Sequence, residues 1–309
     1  MHIDRHIARA EVPVAGGTLA TFRLGDAPDT AEPVLAIHGI TANSREWLAV
    51  ARALEGRASV LAPDLRGRAA SNALPAPYGM EAYGRDMLAV LDHFRLERAV
   101  LVGHSLGGYA VARFAADHPE RVRSAVLVDG GLSAPLPDGV DPQAVAAAVL
   151  GPALERLKRR FPSREAYHDW WRAHPAFANG DALDEDLVAY ADHDLVGEPP
   201  ELRSSVGADV VRADAAELIE IGKPAHRLEV PAELMCAERG MLDDPKPLQP
   251  PALAEPWAAA APQMRRTVRV PGVNHYTIVM GAAGASAVAQ AIVRALQSPG
   301  AERVLRSAG

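Results

Sequence analysis

A glycine–X–serine–X–glycine pentapeptide, Gly103 to Gly107, constrains the fold of this chain more than any other feature, because it separates a strand pattern from a helix pattern. The largely apolar run 98–102 before it is typical of a short buried strand. The run 106–116 after it has helical periodicity and stops before Pro119. Glycines on both sides permit a strained turn that lifts the hydroxyl of Ser105 clear of a sheet. The sequence therefore predicts a strand–turn–helix junction with a serine at its tip.

Short apolar runs alternate with helical patterns from residue 34 to residue 128. Strands that alternate with helices indicate βαβ units and a mostly parallel sheet. The alternating residues 10–24 around Gly16-Gly17 predict a hairpin at the sheet edge. The predicted strands are 34–37, 59–62, 100–102, 125–128, 232–236 and 267–270, and helices are predicted over 44–54, 80–94 and 285–296.

Residues 141–225 contain helical patterns and turns and no convincing strand. A helical block between strands of one sheet is typical of an insertion that lies over that sheet. The segment 245–256 contains five prolines and predicts an ordered irregular loop. The predicted organisation is a core of 1–132 and 226–298, a helical cap of 133–225 and a C-terminal tail of 299–309.

Composition is that of an ordinary globular protein, with 49% apolar and 23% charged residues among 309. The net charge of −7 argues against a nucleic-acid partner. The sequence has no secretory signal pattern and no apolar run long enough to span a bilayer, so we expect a cytoplasmic protein without a membrane partner. Its single cysteine, Cys236, fits a reducing compartment. No His/Cys spacing suits zinc, and no glycine-rich loop suits a phosphate.

Ser105 can attack a carbonyl carbon only if a base lies within hydrogen-bond reach and an acid orients that base. We predict that His275 is the base, because it follows the last predicted strand and should lie at the same sheet edge as Ser105. His226 precedes a strand and is expected at the opposite edge or in the insertion.

The loop that follows the predicted strand 34–37 is the expected source of an oxyanion-binding group. It can bring the backbone N–H of Ile40 toward the substrate oxygen, beside the N–H of Leu106. His38 and His104 stand next to these positions and are predicted to be packed structural residues.

Four motifs together resemble the α/β-hydrolase superfamily, over most of the chain. They are His38-Gly39, Pro63 to Gly67, Gly103 to Gly108 and Gly272 to His275. The resemblance implies an α/β fold with a central eight-stranded, mostly parallel sheet flanked by helices, and a helical cap inserted after strand 6. It implies no cofactor, and it implies the chain order serine, acid, histidine.

The acid departs from the common family pattern. In most relatives it follows strand 7 in a motif Gly-Glu-x-Asp, but Gly240 occupies that position here. Some family members supply the acid after strand 6, and Asp129 follows the run 125–128. We therefore predict Asp129 as the acid, although an aspartate there also suits a turn. The alternatives are the strand 7 loop residues Glu238, Asp243 and Asp244, or a degraded triad.

Four residues are predicted to bind substrate: Leu132 and Met241 from loops at the active edge, and Trp170 and Trp171 from the cap. Aromatic residues at helical spacing are more often core, and we expect this of at least half of the set Tyr167, Trp170, Trp171, Phe177 and Tyr190. Arg203, Arg212, His168 and His193 could recognise a carboxylate, but local ion pairs explain them equally well.

The leading functional hypothesis is a serine hydrolase that cleaves a small-molecule carboxylic ester or lactone through an acyl-enzyme. Serine at the elbow argues against epoxide hydrolase and haloalkane dehalogenase chemistry, because relatives with those activities carry aspartate there. Thioester, amide and carbon–carbon bond hydrolysis stay open, and no residue favours cofactor-independent oxygen chemistry. A second hypothesis, kept open by Gly240, is a ligand-binding protein on the same scaffold with little turnover. The sequence predicts no oligomeric state.

Overall fold

The computed structural model describes residues 7–132, 150–151, 153–178, 180–218, 227–261 and 263–298. An eight-stranded sheet forms its centre, and a separate two-stranded sheet lies outside it. The strands are β1 (Ile7–Val14), β2 (Gly17–Leu24), β3 (Val34–Ile37), β4 (Val60–Pro63), β5 (Ala99–His104), β6 (Val122–Val128), β7 (Leu195–Val196), β8 (Arg203–Ser204), β9 (Ala232–Ala237) and β10 (Met264–Val270).

The large sheet has the spatial order β1-β2-β4-β3-β5-β6-β9-β10. β1 and β2 form an antiparallel hairpin, and β2 is antiparallel to β4. The remaining pairings in this sheet are parallel. The predicted edge hairpin and the mostly parallel eight-stranded sheet are therefore confirmed. Since the parallel strands run the same way, the loops after β3, β5, β6, β9 and β10 lie along one edge of the sheet.

Helices cover both faces of this sheet. They are α1 (Leu48–Ala53), α2 (Met80–His93), α3 (Leu106–Asp117), α4 (153–158), α5 (Arg164–Arg172), α6 (Pro175–Ala178), α7 (Asp184–Asp194), α8 (Ala208–Leu218), α9 (Pro251–Ala260), α10 (Thr277–Met280) and α11 (Ala282–Gln297). α1 and α11 pack on one face, and α2 and α3 pack on the other. Alternate side chains of β5 point to the two faces of the sheet. Val100 and Val102 pack on the α1–α11 face, and Leu101 packs on the α2–α3 face. A strand buried on both faces reads as a continuous apolar run.

The chain leaves the sheet after β6 and returns to it at β9. We call the described residues of 150–218 the insertion; they form α4 to α8 and the strand pair β7–β8. The prediction that 141–225 contains no strand is wrong, because a two-residue strand is too short to show alternation in a sequence. The proposed limits of a cap at 133 and 225, the tail 299–309 and His226 lie outside the described residues.

The proline-rich segment 245–256 is a loop only in its first half, because α9 begins at Pro251 and includes Pro256. A proline in the first helical turn loses no hydrogen bond, since the N–H groups of that turn have no intrahelical partner. The prediction of an irregular loop is therefore wrong for 251–256. Within the described part of the chain, no helix is both long enough and apolar enough to cross a membrane.

Candidate active site

Ser105 stands between β5 and α3, at the tip of a turn that requires glycine neighbours. Its backbone has φ 53° and ψ −120°, a strained positive-φ conformation that is found mostly at functional turns. A Cβ atom at Gly103 would overlap the carbonyl oxygen of Gly107, and one at Gly107 would overlap the carbonyl oxygen of Ile37. The glycines thus let neighbouring backbone segments pass closely enough to hold Ser105 above the sheet edge.

We expect Gly107→Ala to lower the free energy of unfolding by about 3 kcal/mol or more, because its methyl group has no room beside β3. Gly151→Ala is the matched control: among the described residues, no atom lies within 4 Å of a Cβ added to this helical glycine, so the change should stabilise by about 0.5–1 kcal/mol or be neutral. Chemical denaturation of both variants measures the difference. Equal stabilities would contradict the close approach at the elbow.

His275 follows β10 and meets Asp129, which follows β6. The Nδ1–H of His275 donates to Oδ2 of Asp129 at 2.7 Å, and the other carboxylate oxygen accepts the N–H of Ala237 at 3.0 Å. Because Nδ1 carries the proton, Nε2 keeps its lone pair for a second partner. Asp129 is 2% exposed and His275 is 4% exposed. Burial lowers the pKa of His275, and the opposing effect of the Asp129 hydrogen bond does not cancel it.

The Ser105 hydroxyl has no hydrogen-bond partner among the residues that the structure describes. It therefore makes no hydrogen bond to Nε2 of His275, although both side chains line one cavity. Such hydrogen bonds are commonly long until substrate is bound.

The loop from Gly39 to Ala42 lines the same cavity. The carbonyl oxygen of Gly39 accepts Nδ1–H of His38 at 2.8 Å, and it also accepts the N–H of Ala42 at 3.2 Å. C=O and N–H of a trans peptide point in opposite directions, so the N–H of Ile40 points away from His38. Among the described residues, the N–H groups of Ile40, Thr41 and Leu106 have no partner. These three residues line the cavity, and such unpaired N–H groups are what an oxyanion requires.

His38 and His104 flank the site and have different hydrogen-bond partners. Nε2 of His38 accepts the N–H of Leu65 at 2.9 Å, so His38 is neutral, and burial lowers its pKa. His104 faces two acceptors: the carboxylate of Glu46 at 3.3 Å from Nδ1, and the carbonyl oxygen of His275 at 2.9 Å from Nε2. Burial acts to lower the pKa of His104, but Glu46 outweighs it and raises the pKa. Both ring nitrogens of His104 therefore face acceptors beside Ser105.

A cavity of about 190 Å³ joins these groups. Apolar and aromatic side chains form most of its wall, and Thr41, Glu46, His104 and Gln249 are its other polar side chains apart from Ser105, Asp129 and His275. Its described lining is Gly39, Ile40, Thr41, Ala42, Glu46, His104, Ser105, Leu106, Tyr109, Asp129, Leu150, Ala153, Tyr190, Met241, Leu248, Gln249, His275 and Tyr276. Across the described ranges, no group of three or more His, Cys, Asp or Glu side chains could hold a metal ion.

The strand order and the serine elbow are features of one fold family. A sequence profile of the α/β-hydrolase fold matches residues 32–193, more than half of the chain. The chain belongs to the α/β-hydrolase fold family.

Relatives of this hydrolase include an uncharacterised protein of Mycobacterium tuberculosis, 44% identical over 101 residues, which are 32% of this chain and 29% of the relative. Lipase LipV of the same organism is 32% identical over 159 residues, 50% of this chain and 58% of the lipase. The crystal structure of E-2-(acetamidomethylene)succinate hydrolase shares the fold, with a TM-score of 0.76 and 20% identity, and the match covers 95% of this chain and 100% of that chain. Each sequence match spans less than two thirds of the relative.

In the loop after β9, which corresponds to the family's strand 7 loop, Asp243 and Glu238 pair with groups other than His275. Oδ1 of Asp243 accepts Nε of Arg239 at 2.7 Å, and Glu238 accepts the N–H of Gly272 at 2.8 Å. A Cβ atom at Gly240 would lie 2.5 Å from the carbonyl oxygen of Lys246 and 2.6 Å from a carboxylate oxygen of Asp244. The loop therefore has no room for the family's usual aspartate. Within the described residues, none of its acids bonds to the imidazole of His275.

Of the four residues predicted to bind substrate, Met241 lines the cavity. Leu132 is fully buried in the core on the α2–α3 face, and Trp170 and Trp171 belong to the core of the opposite face. None of these three is among the described lining residues. Trp171 instead packs behind the cavity wall, edge-on to Tyr190 at a ring-centroid distance of 5.2 Å.

The four residues considered for carboxylate recognition also lie outside the described lining, which contains none of Arg203, Arg212, His168 and His193. His193 pairs with the buried Asp64 at 2.7 Å, and His168 pairs with Asp192 at 2.9 Å. Sequence reasoning missed Glu46 and the N–H of Thr41. No local signal marks Glu46, because its partner His104 is 58 residues away.

Proposed function

We propose that this α/β hydrolase is a serine hydrolase that cleaves a carboxylic ester or lactone through an acyl-enzyme. The observation that carries the proposal is one cavity lined by Ser105, by His275 with its Asp129 partner, and by Ile40 and Leu106. A serine hydroxyl, a neutral imidazole held by a carboxylate, and unpaired N–H groups are the set that acyl transfer requires. The similarity to a lipase supports ester chemistry.

Acylation begins when Oγ of Ser105 attacks the carbonyl carbon and Nε2 of His275 accepts the hydroxyl proton. Asp129 stabilises the imidazolium that forms and keeps its Nδ1–H directed inward. The N–H groups of Ile40 and Leu106 bind the negative oxygen of the tetrahedral intermediate. His275 then returns the proton to the departing alkoxide, which leaves the acyl group on Ser105.

Deacylation uses the same groups with water as the nucleophile. Nε2 of His275 takes a proton from the water while the oxygen of the water attacks the acyl carbon. The imidazolium then protonates Oγ of Ser105 as the ester bond breaks. The product is a carboxylic acid, or a hydroxy acid when the substrate is a lactone.

The cavity wall favours an apolar substituent next to the scissile carbonyl. Leu150, Ala153, Met241 and Leu248 contribute aliphatic surface, and Tyr190 and Tyr276 add aromatic surface. We expect esters of short or medium apolar acids to be better substrates than esters of charged acids, because the described wall contains no arginine or lysine to neutralise a carboxylate.

Covalent labelling tests the proposal directly. A fluorophosphonate should label the wild-type enzyme once, and mass spectrometry of the digest should find the label on Ser105. p-Nitrophenyl acetate should be turned over with a burst of p-nitrophenol if deacylation is slow. Absence of both labelling and turnover would favour a ligand-binding protein on this scaffold, and a panel of thioesters, amides and lactones locates the preferred bond.

In the pH profile of kcat/KM, the midpoint of the acid limb should lie below the ordinary histidine pKa of about 6.5. His275 must be neutral to accept the serine proton, and burial lowers its pKa. Protonation at low pH therefore abolishes activity, and activity returns as pH rises through the lowered pKa. A pH–rate profile from about pH 4 to about pH 9 measures it; a midpoint above 6.5 would contradict the prediction.

A further inference from the structure

Two buried arginines donate hydrogen bonds to carbonyl oxygens of the Gly39–Ala42 loop, which lines the cavity. Nε and Nη2 of Arg68 each donate to the carbonyl oxygen of Ile40 at 3.1 Å. Nη2 of Arg156 donates to the carbonyl oxygen of Thr41 at 2.8 Å. Arg68 is 0% exposed and Arg156 is 2% exposed. Burying a guanidinium costs several kcal/mol unless it is paired and hydrogen-bonded, so both sites need counter-charges.

The insertion supplies both counter-charges. Asp214 of α8 pairs with Nη2 of Arg68, and Asp194 of α7 pairs with Nη1 of Arg156 at 2.6 Å. Each aspartate is thus buried against a cation that reaches the Gly39–Ala42 loop. Displacement of the insertion would leave both guanidinium groups unpaired.

A tyrosine bridges each pair in the same way. The hydroxyl of Tyr83 accepts a hydrogen bond from Nη1 of Arg68 and donates one to Oδ1 of Asp214, both at 2.6 Å. The hydroxyl of Tyr167 accepts Nη1 of Arg156 and donates to Oδ2 of Asp194, also at 2.6 Å. The same Arg–Tyr–Asp arrangement therefore occurs twice, on two successive carbonyl groups of one short loop.

The carbonyl contacts determine where the loop's N–H groups point. The C=O of Ile40 and the N–H of Thr41 belong to one peptide unit and are antiparallel, so Arg68 directs that N–H away from itself. Hydrogen bonding of a cation to the carbonyl also polarises the peptide and strengthens its N–H as a donor. With the Gly39 carbonyl held by His38 and the Thr41 carbonyl held by Arg156, no peptide from 39 to 41 can rotate without breaking a buried hydrogen bond.

We propose that Arg68 and Arg156 are positioning residues that fix the backbone of the Gly39–Ala42 loop, which carries the oxyanion-binding N–H of Ile40, and that the insertion completes this arrangement through Asp214 and Asp194. The inference rests on the proposed function and extends it: the oxyanion site is fully formed only when the insertion is docked. The arginines act through the backbone and do not contact substrate.

Arg66 is a matched control, because it lies in the loop after β4 that also carries Arg68. It is 3% exposed, and its guanidinium is bound by both oxygens of Asp86 at 2.7 and 2.6 Å. Its further bonds go to the carbonyl oxygens of Ala15, Pro75 and Pro77. Arg66 therefore has the chemistry and burial of Arg68 without a bond to residues 39–41 or to the insertion.

The test compares Arg68→Lys, Tyr83→Phe and Arg66→Lys for kcat, KM, thermal stability and inhibition by phenylboronic acid. The boronate forms a tetrahedral adduct with serine, so its affinity depends on the oxyanion site. Arg68→Lys should lower kcat by about 10- to 100-fold with little change in KM, and the boronate Ki should rise by a similar factor. Arg66→Lys should alter kcat and Ki by less than about threefold at a comparable loss of Tm.

Tyr83→Phe is the milder variant, because it keeps both charges and removes only the bridging hydroxyl. It should fold, lower kcat by about 3- to 10-fold and raise the boronate Ki in parallel. Equal losses of kcat in Arg66→Lys and Arg68→Lys at equal Tm would overturn the inference. An unchanged kcat and Ki in Tyr83→Phe would also overturn it.

Amide hydrogen exchange separates this inference from the proposed function, because it needs no turnover. The N–H groups of Gly39 and Ala42 are bonded, to Glu46 and to Gly39 respectively, so the loop has measurable protection. Peptides covering 39–42 should exchange faster in Arg68→Lys and Tyr83→Phe than in Arg66→Lys. Unchanged exchange in both variants overturns the arginine arrangement, whereas an inactive wild-type enzyme with the expected exchange overturns only the proposed function.

Discussion

Ser105→Ala should lower kcat for p-nitrophenyl acetate by about 10⁴-fold or more and leave the fold intact. The substitution removes the attacking oxygen, so no acyl-enzyme forms and the unpaired N–H groups have no tetrahedral intermediate to bind. Stability should change little, because the hydroxyl has no hydrogen-bond partner among the described residues and the Cβ atom is kept. Initial rates and thermal denaturation measure the two effects.

Ser124→Ala is the matched control for this experiment. Ser124 lies near the start of β6, at the end of the sheet away from the elbow, and its hydroxyl donates to the carbonyl oxygen of Pro231 at 2.9 Å. Its loss should cost about 1 kcal/mol of stability without altering kcat. If Ser105→Ala kept more than about a tenth of the wild-type kcat, turnover would arise at another group and the proposed mechanism would be wrong.

The parts of this fold that the sequence predicts well are those fixed by short-range sterics and periodicity. The turn at Ser105 follows from Gly103 and Gly107, whose missing side chains leave room for a local backbone crossing. The strands are continuous apolar runs between turns, so their order along the chain is readable. The juxtaposition of Ser105, His275 and Asp129 follows from one further rule, that parallel strands end at the same edge.

Features that depend on long-range pairing could not be predicted. Arg68 pairs with Asp214, which lies 146 residues away in the chain, and no sequence pattern indicates that the two residues are in contact. Trp170 and Trp171 fit either a pocket or a core by periodicity. Only the structure distinguishes the two, because both pack in the core cluster and neither is among the described residues that line the cavity. The start of α9 at Pro251 was missed because a cluster of prolines resembles a loop in composition, although one proline suits a first helical turn.

The position of the acid illustrates how adjacent parallel strands can exchange a role. β6 and β9 are neighbours in register, with Val128 opposite Met235. The residue after Val128 and the loop after β9 therefore both approach the histidine loop from the same edge. Asp129 reaches Nδ1 of His275 from β6, while the crowded backbone at Gly240 excludes a side chain from the usual position. A single orienting carboxylate is sufficient, so the two arrangements are chemically equivalent.

Asp129→Asn should consequently lower kcat by about 10³- to 10⁴-fold with a small effect on stability. The asparagine can still accept the N–H of Ala237, which Asp129 Oδ1 accepts in the wild type. Its amide group, however, donates to Nδ1 of His275 and so favours the tautomer with the proton on Nε2. That imidazole cannot accept the serine proton, and the imidazolium loses its counter-charge.

Asp243→Asn provides the matched comparison, since it makes the same change in the loop after β9. Asp243 pairs with Arg239 and accepts Nδ2 of Asn274 at 3.3 Å, so its loss should loosen the loop and lower kcat by less than about threefold. Steady-state rates of both variants, with fluorophosphonate labelling of Ser105 as a second readout, decide between the acids. A small loss of kcat in Asp129→Asn together with a large loss in Asp243→Asn would show that Asp243 orients His275. Only the residue that fixes the histidine tautomer affects both acylation and labelling.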